Sequence, residues 1–246
     1  MLSYLKKHYK RAQFTPNILA LFINPFFIIR RGLFRGINRY KTYMSGKMLD
    51  FGCGSKPYRH LFQVDEYIGT DIRVSGHNTS NKQVDVFYDG NTLPFQDNSF
   101  DCVLSSEVFE HIFNLDTVLQ ELHRVLKPGG YMIVTVPFIW DEHEIPYDFG
   151  RYTSFGLKHL LEKQGFSVIE MHKSNTYHTT LVQMRIAYIY QHIFPRNKAV
   201  RLLLNPIIVF PLTIWGLFWD LILPKSYNFY HNNIFLVQKG TKVDVG

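Results

Sequence analysis

From Lys47 to Lys173, short β-branched or apolar runs alternate with amphipathic ones, the pattern of a parallel sheet covered by helices. "KMLDF", "EYIGTD", "VDVFY", "FDCVLS", "YMIVTVPF" and "FSVIEMH" predict strands. Between them, "NLDTVLQELHRVL" places Leu115, Val118, Leu119, Leu122 and Val125 on one helical face, and "KPGG" is expected to stop it. "TSFGLKHLLEKQGF" predicts a second helix, with Ser154 as its cap and Gly165 as its terminator. A last apolar run, "NIFLVQKG" from Asn233 to Gly240, reads as one more strand of the same sheet.

Two apolar stretches fall outside this alternation. "NILALFINPFFII" (Asn17 to Ile29) is bracketed by "KKHYKR" and "RRGLFR". No small-residue cleavage site follows it, as a signal peptide would require. It is also shorter than the roughly 20 residues of a bilayer span, and Asn24 and Pro25 interrupt it, so it is expected to lie in the plane of a membrane interface. "LLLNPIIVFPLTIWGLFWDLIL" (Leu202 to Leu223) is long enough to cross but carries Pro206, Pro211, Gly216 and Asp220. A single crossing would leave "NIFLVQKG" on the wrong side of the membrane from its sheet. Broken helices that pack on the domain or dip into one leaflet are therefore expected, with a buried core or a homodimer contact as the alternatives.

Charge sharpens that expectation. The 246 residues carry a net +7, yet ten of the 27 lysines and arginines lie between Met1 and Lys47, where there is no acid. The remainder carries 17 basic against 20 acidic groups. A basic leader on a mildly acidic body points to a local anionic contact such as a phospholipid surface, or else to a solvated arm, and points away from nucleic acid. Cys53 and Cys102 are too far apart to suggest a disulfide framework, which favours a reduced, cytosolic setting at the inner face of the membrane. The length suits one α/β domain with an insertion.

"MLDFGCGSKPY" (Met48 to Tyr58) runs a strand into a glycine turn, where backbone N–H groups can approach a ligand closely. The spacing is not G-x-G-x-x-G, because Pro57 stands in the third glycine's place, and the lysine-serine end of a P-loop is missing. About 20 residues on, Asp71 closes the second strand, where a carboxylate can take both hydroxyls of a ribose. Asp89 follows in "YDGNTLPFQDNSFD". An adenosine-like ligand at the carboxyl ends of the strands is the physical reading.

In their order, "LDFGCG", Asp71, "DGNTLPFQDNSFDCVLSSEVFEHI" and "VLKPGGYMIVTVP" resemble the class I S-adenosylmethionine-dependent methyltransferases of the type 11 group. The resemblance covers about residues 47 to 173. It implies a Rossmann-like, doubly wound α/β sheet of seven strands, the last antiparallel, with "NIFLVQKG" as that last strand. The chain then divides into a basic helical leader (1–46), a methyltransferase core (47–175), a hydrophobic helical insertion (176–232), and the last strand with a tail (233–246). S-adenosylmethionine is the implied cofactor. Asp50, Gly52 and Gly54 should surround its methionine part, Asp71 its ribose and Asp89 its adenine amino group, with Ser105 or Ser106 lining the pocket. Lys56 and Pro57 depart from the small residues common there.

Methyl transfer from a sulfonium is an in-line displacement, so alignment and exclusion of water are the protein's main tasks. A hydroxyl acceptor must lose its proton, and His111 and His143 are the candidate bases. In "WDEHEIPYDFGRYTSFGL", Arg151 can bind a carboxylate or phosphate, and Tyr147 and Tyr152 offer flat walls and hydroxyls; Asp148 and Arg151 can equally form an internal ion pair. "HEIPYDFGRYT" resembles a segment of many bacterial type 11 enzymes. The expected acceptor is a small molecule, a sugar or a lipid-linked glycan of the cell envelope. Glu107, Glu110 and His111 also match the E-x-x-E-H of ubiquinone-pathway and small-RNA methyltransferases, which implies, as an alternative, a divalent cation held with His143. A non-catalytic scaffold that senses the cofactor is the remaining alternative.

Overall fold

A computed structural model describes residues 12–73 and 82–240. The leading "KKHYKR" and the tail 241–246 lie outside the described residues. The chain forms two compact units, Met1–Gly36 with Lys173–Asn232, and Ile37–His172 with Asn233–Gly246.

The second unit is built on a sheet of β1 (Lys47–Phe51), β2 (Glu66–Ile72), β3 (Val86–Tyr88), β4 (Phe100–Ser106), β5 (Leu126–Pro137), β6 (Phe166–Lys173) and β7 (Asn232–Lys239), in the order β3-β2-β1-β4-β5-β7-β6. The pairings from β3 through β5 are parallel and β7 is antiparallel. The strands read as unbroken apolar runs because both faces of the sheet are covered. Alternate residues divide between two cores. Leu49, Phe51, Val103 and Val134 pack with the apolar face of the helix Leu115–Val125. Met48, Cys102, Leu104 and Ile133 pack on the other face with Ile37, Tyr40 and Met44.

Two local expectations need correction. "KPGG" does more than stop a helix: β5 already begins at Leu126, and the residues between Leu126 and Tyr131 bulge out, since Phe100 pairs with Leu126 and Cys102 with Tyr131. The cap of the helix Ser154–Lys163 is Thr153, whose extended backbone (φ −66°, ψ 160°) lets its Oγ1 accept from the Gly156 N–H. Ser154 is already helical. Thr153→Ala is expected to cost about 1 kcal/mol in urea unfolding.

The first unit is helical: α1 (Ile18–Ile23), the start of α2 (Phe27–Tyr40), then, after α3 (Leu115–Val125) and α4 (Ser154–Lys163) of the sheet unit, α5 (Tyr177–Tyr188), α6 (Lys198–Leu204) and α7 (Phe210–Ile222). Asn24 breaks the first run, its Oδ1 accepting from the Phe26 N–H. The expected break at Pro206 is absent. A π-turn over Asn205–Val209 absorbs that proline, and Lys198–Ile222 is one helix of 25 residues with mean hydropathy 1.8 over its most apolar window. By length and composition it is the one described helix able to cross a membrane.

Candidate active site

The loop after β1 is set by two backbone demands. Gly52 adopts φ +70°, and a Cβ there would stand 2.4 Å from Val108 Cγ2, so no side chain fits. Its N–H and that of Cys53 both donate to the Thr70 carbonyl, fastening the loop to β2. Gly54 at φ +48° has open space where a Cβ would stand, and its N–H donates to Asp71 Oδ2 at 3.2 Å. Asp71 is 8% exposed; Oδ1 also accepts from its neighbour Ile72 N–H and from Lys82 Nζ at 2.9 Å.

Asp50 lies beneath this loop. Burial pushes its carboxyl up to about 7 against the pull of the Tyr67 hydroxyl, which donates to it at 2.5 Å. A folded-state value above the unfolded one means that the native protein binds the extra proton. The stability this contributes is present below about pH 4 and lost as pH rises through about 7. Comparing Asp50→Asn with the parent protein across that window in urea should show this slope, flat above it. Lys56, the departure in the loop, sits at φ +52° with its ammonium bonded to Asp85, which also accepts from the Gly69 N–H.

Asp89 is exposed and accepts from the Asn91 and Thr92 N–H groups at 2.8 Å each; these bonds hold its carboxyl below the usual range. It borders an open cleft with Ile72, Arg73, Phe87 and Tyr88. Ser105 is fully buried, and its Oγ has no partner among the described residues. Ser106 Oγ lies 3.0 Å from Thr135 Oγ1.

"EVFEH" does not begin a long helix. Phe109–His111 is a single 3-10 turn, and α3 starts only at Leu115. Glu107 precedes the turn at φ +56°, its carboxylate accepting from Thr135 Oγ1 at 2.8 Å. Glu110 is fully buried, and neither carboxyl oxygen has a hydrogen-bond partner among the described residues. Burial first, and Glu107 second, raise Glu110 well above the usual carboxyl range. Its carbonyl accepts from the Phe149 and Gly150 N–H groups, tying the turn to the loop after β5.

His111 is the pivot. Its Nδ1 lies 2.8 Å from the Tyr147 carbonyl, and only a protonated nitrogen bonds there, so Nε2 carries the lone pair. Nε2 stands 3.4 Å from Glu144 Oε1 and 3.6 Å from Glu110 Oε1. Burial lowers its pKa below the ordinary histidine value. The His143 ring lies 4.8 Å away, nearly perpendicular; its Nδ1 stands 3.1 Å from the Asp141 carbonyl, and the His143 backbone N–H donates to Asp148 Oδ2 at 2.9 Å. Arg151 grips Asp148 with both terminal nitrogens, at 2.5 and 2.6 Å, and Arg151 Nη2 also donates to the Asp141 carbonyl. Burial pushes Asp148 up, but that fork outweighs it and holds the carboxyl at about 2. Of the two readings of Asp148 and Arg151, the geometry realises the internal ion pair.

Glu110, His111 and His143 bring ligand atoms within 4.8 Å of one another; Glu107 stands apart from that group. Three neighbours were not singled out in the sequence: Tyr67 on Asp50, Lys82 on Asp71, and Glu144 on His111. Only Glu144 had a signal, its place beside His143 in "DEHEIPY".

Residues 49–134 match the family model of a type 11 methyltransferase domain. Those residues form a methyltransferase domain of the type 11 group. The match takes in the glycine loop, Asp71, Asp89 and "EVFEH", and it stops before the loop that carries His143. The domain is similar to the sterol 24-C-methyltransferase erg-4 of Neurospora crassa, 31% identical over 39% of this chain and 31% of that protein. It is also similar to the fatty-acid O-methyltransferase of Mycolicibacterium smegmatis, 32% identical over 36% of each. This chain thus matches about a third of these curated relatives' lengths. In fold it resembles phosphoethanolamine N-methyltransferase 2 of Haemonchus contortus bound to S-adenosyl-L-methionine, at TM-score 0.53 and 18% identity over 90% of this chain and 55% of that one. S-adenosylmethionine is the cofactor of this domain class, and the methyltransferase domain here fits it: the open space at Gly54, the Ser105 hydroxyl, unpartnered among the described residues, and the buried Asp50 carboxyl lie at the carboxyl ends of β1 and β4.

Proposed function

We propose that this chain transfers a methyl group from S-adenosylmethionine to a hydroxyl oxygen of a polar acceptor, a sugar or lipid-linked glycan of the cell envelope, at the cytoplasmic face of a membrane. The observation that carries the reading is His111: a tautomer fixed through the Tyr147 carbonyl, with the Nε2 lone pair left for a proton. The cofactor supplies an electrophilic methyl on a sulfonium. Asp71 and Asp50 hold it, with Gly52 and Gly54 shaping the loop around it. Asp89 and one of Ser105 or Ser106 complete its pocket.

His111 Nε2 takes the acceptor's proton as the new bond forms, and Glu144 at 3.4 Å stabilises the imidazolium that results. Asp148 and Arg151 act by positioning: their fork holds the loop that carries His143 and Tyr147. The sheet unit holds 19 acids against 14 bases, which speaks against an RNA acceptor.

A second reading is favoured by Glu110, a buried carboxyl without a hydrogen-bond partner among the described residues. Glu110, His111 and His143 would hold a divalent cation that polarises the acceptor oxygen and compensates the buried carboxyl. One experiment separates the two. Tritium-labelled methyl from S-adenosylmethionine is followed into a bacterial envelope extract, with and without a chelator. Label that enters hydroxylated lipids or glycans regardless of chelator supports the first reading, loss on chelation the second, and no incorporation contradicts both.

A further inference from the structure

The helix Lys198–Ile222 is built inside out. Its buried seam runs Asn205, Val209, Thr213, Gly216, while the opposite stripe, Leu203, Ile207, Ile214, Phe218 and Leu221, is 41–80% exposed. A helix on a water-soluble body does the reverse, hiding its large apolar side chains and showing its polar ones. Small and polar residues share the internal contacts with Val209, which packs among Val182, Ile186 and Phe194. A Cβ on Gly216 would stand 2.6 Å from Val182 Cγ1, so glycine is what lets α7 approach α5, and Asn205 Nδ2 donates to the Ile23 carbonyl. Ile18, at 80% exposed, adds to the outward apolar surface of the same unit, and Phe22 of that short helix stacks on Phe210 at 4.3 Å.

Charge tells what covers this surface. By sequence the unit holds thirteen lysines and arginines and one acid, Asp220. That acid is occupied internally, by the Thr176 hydroxyl and by Lys225 Nζ at 2.7 Å. A second copy of this chain would set two strongly cationic units face to face. Anionic headgroups over hydrocarbon match both features at once.

The ends of the hairpin fix how deep it goes. Thr176, which caps α5, bonds Asp220 near the end of α7, and the Tyr177 N–H donates to the Ser226 carbonyl at 2.8 Å, so the hairpin leaves and returns at one place. A crossing would have to carry the charged Arg196, Lys198 and Arg201 at its tip through the hydrocarbon.

We propose that the unit Met1–Gly36 with Lys173–Asn232 is a monotopic membrane anchor: the helix Lys198–Ile222 lies in one leaflet of an anionic bilayer, its Leu203 to Leu221 stripe in the acyl region and its cations among the headgroups. This deepens the membrane part of the proposed function and rests on that part only, not on the chemistry. The test is flotation of the full chain with vesicles of phosphatidylcholine alone or with one-third phosphatidylglycerol, alongside S-adenosylhomocysteine titration of the same preparation. Flotation should require phosphatidylglycerol, weaken steeply with salt, and fall at least about tenfold in Phe218→Glu/Leu221→Glu, whose sites are exposed and whose cofactor affinity should be unchanged. Cys53 and Cys102 are both buried, so Arg196→Cys gives a clean reporter, and an impermeant maleimide should label it on floated vesicles from outside. Failure to float, equal flotation on phosphatidylcholine, salt-dependent dimers in place of flotation, or protection of position 196 would each overturn the proposal. Flotation without cofactor binding would leave the anchor standing and remove the enzyme.

Discussion

His111→Gln is expected to lower methyl transfer into the envelope acceptor by about 10²- to 10⁴-fold, the usual contribution of a positioned general base, while leaving S-adenosylhomocysteine affinity within about twofold. The asymmetry follows from where the side chain sits. Nδ1 is spent on the Tyr147 carbonyl, and Nε2 faces Glu110 and Glu144, away from the Gly52 loop in sequence and in bonding. The pH profile adds an independent check. Burial lowers the His111 pKa, so the base form prevails at neutral pH; the rate should be flat there and fall only below the ordinary histidine range. In the variant that acid limb should vanish. A flat tenfold loss with the limb intact would make His111 a packing residue.

Asp71→Ala should be the most damaging change on the cofactor side. It removes the carboxylate assigned to the ribose and strands Lys82, whose side chain is only 7% exposed, without its anion. Losing a charged hydrogen-bond acceptor is worth about 1.5–3 kcal/mol, roughly 10- to 100-fold in affinity, and the unpaired buried ammonium adds a loss of stability on the scale of about 3–5 kcal/mol. Asp71→Asn keeps the Gly54 contact but not the charge. Titration calorimetry with S-adenosylhomocysteine and urea unfolding read the two effects separately: the lysine effect should appear in stability even without ligand, and Lys82→Met/Asp71→Asn should recover much of it.

The sheet was legible because it is covered on both sides. β1, β4 and β5 read as continuous apolar runs, and the parallel pattern followed from their alternation with amphipathic segments. The place of Asp71 was legible too: it stands one residue before the end of β2, after the glycine turn. The E-x-x-E-H spacing leaves the backbone between its members open. Spacing of three puts Glu107 and Glu110 on one helical face only if the segment is a helix. Here it is one 3-10 turn that begins after Glu107, whose positive φ sends it to Thr135 while Glu110 goes inward. Thr153 and Ser154 are adjacent hydroxyls, and which one caps depends on where the extended backbone ends. Glu144 competes with Asp141 and Glu142 in the same stretch, and a loop conformation with Glu144 at φ +53° decides among them. Lys82 stands 11 residues beyond Asp71, a separation that no periodicity links to it.

The central claim is that the glycine loop, Asp50 and Asp71 form a working S-adenosylmethionine site. Titrating the full chain with S-adenosylhomocysteine at neutral pH tests it most directly. One saturable site per chain, in the micromolar range and weakened at least about tenfold in Asp71→Ala, is the result predicted; no binding by the folded parent protein, or equal binding by the variant, would contradict it.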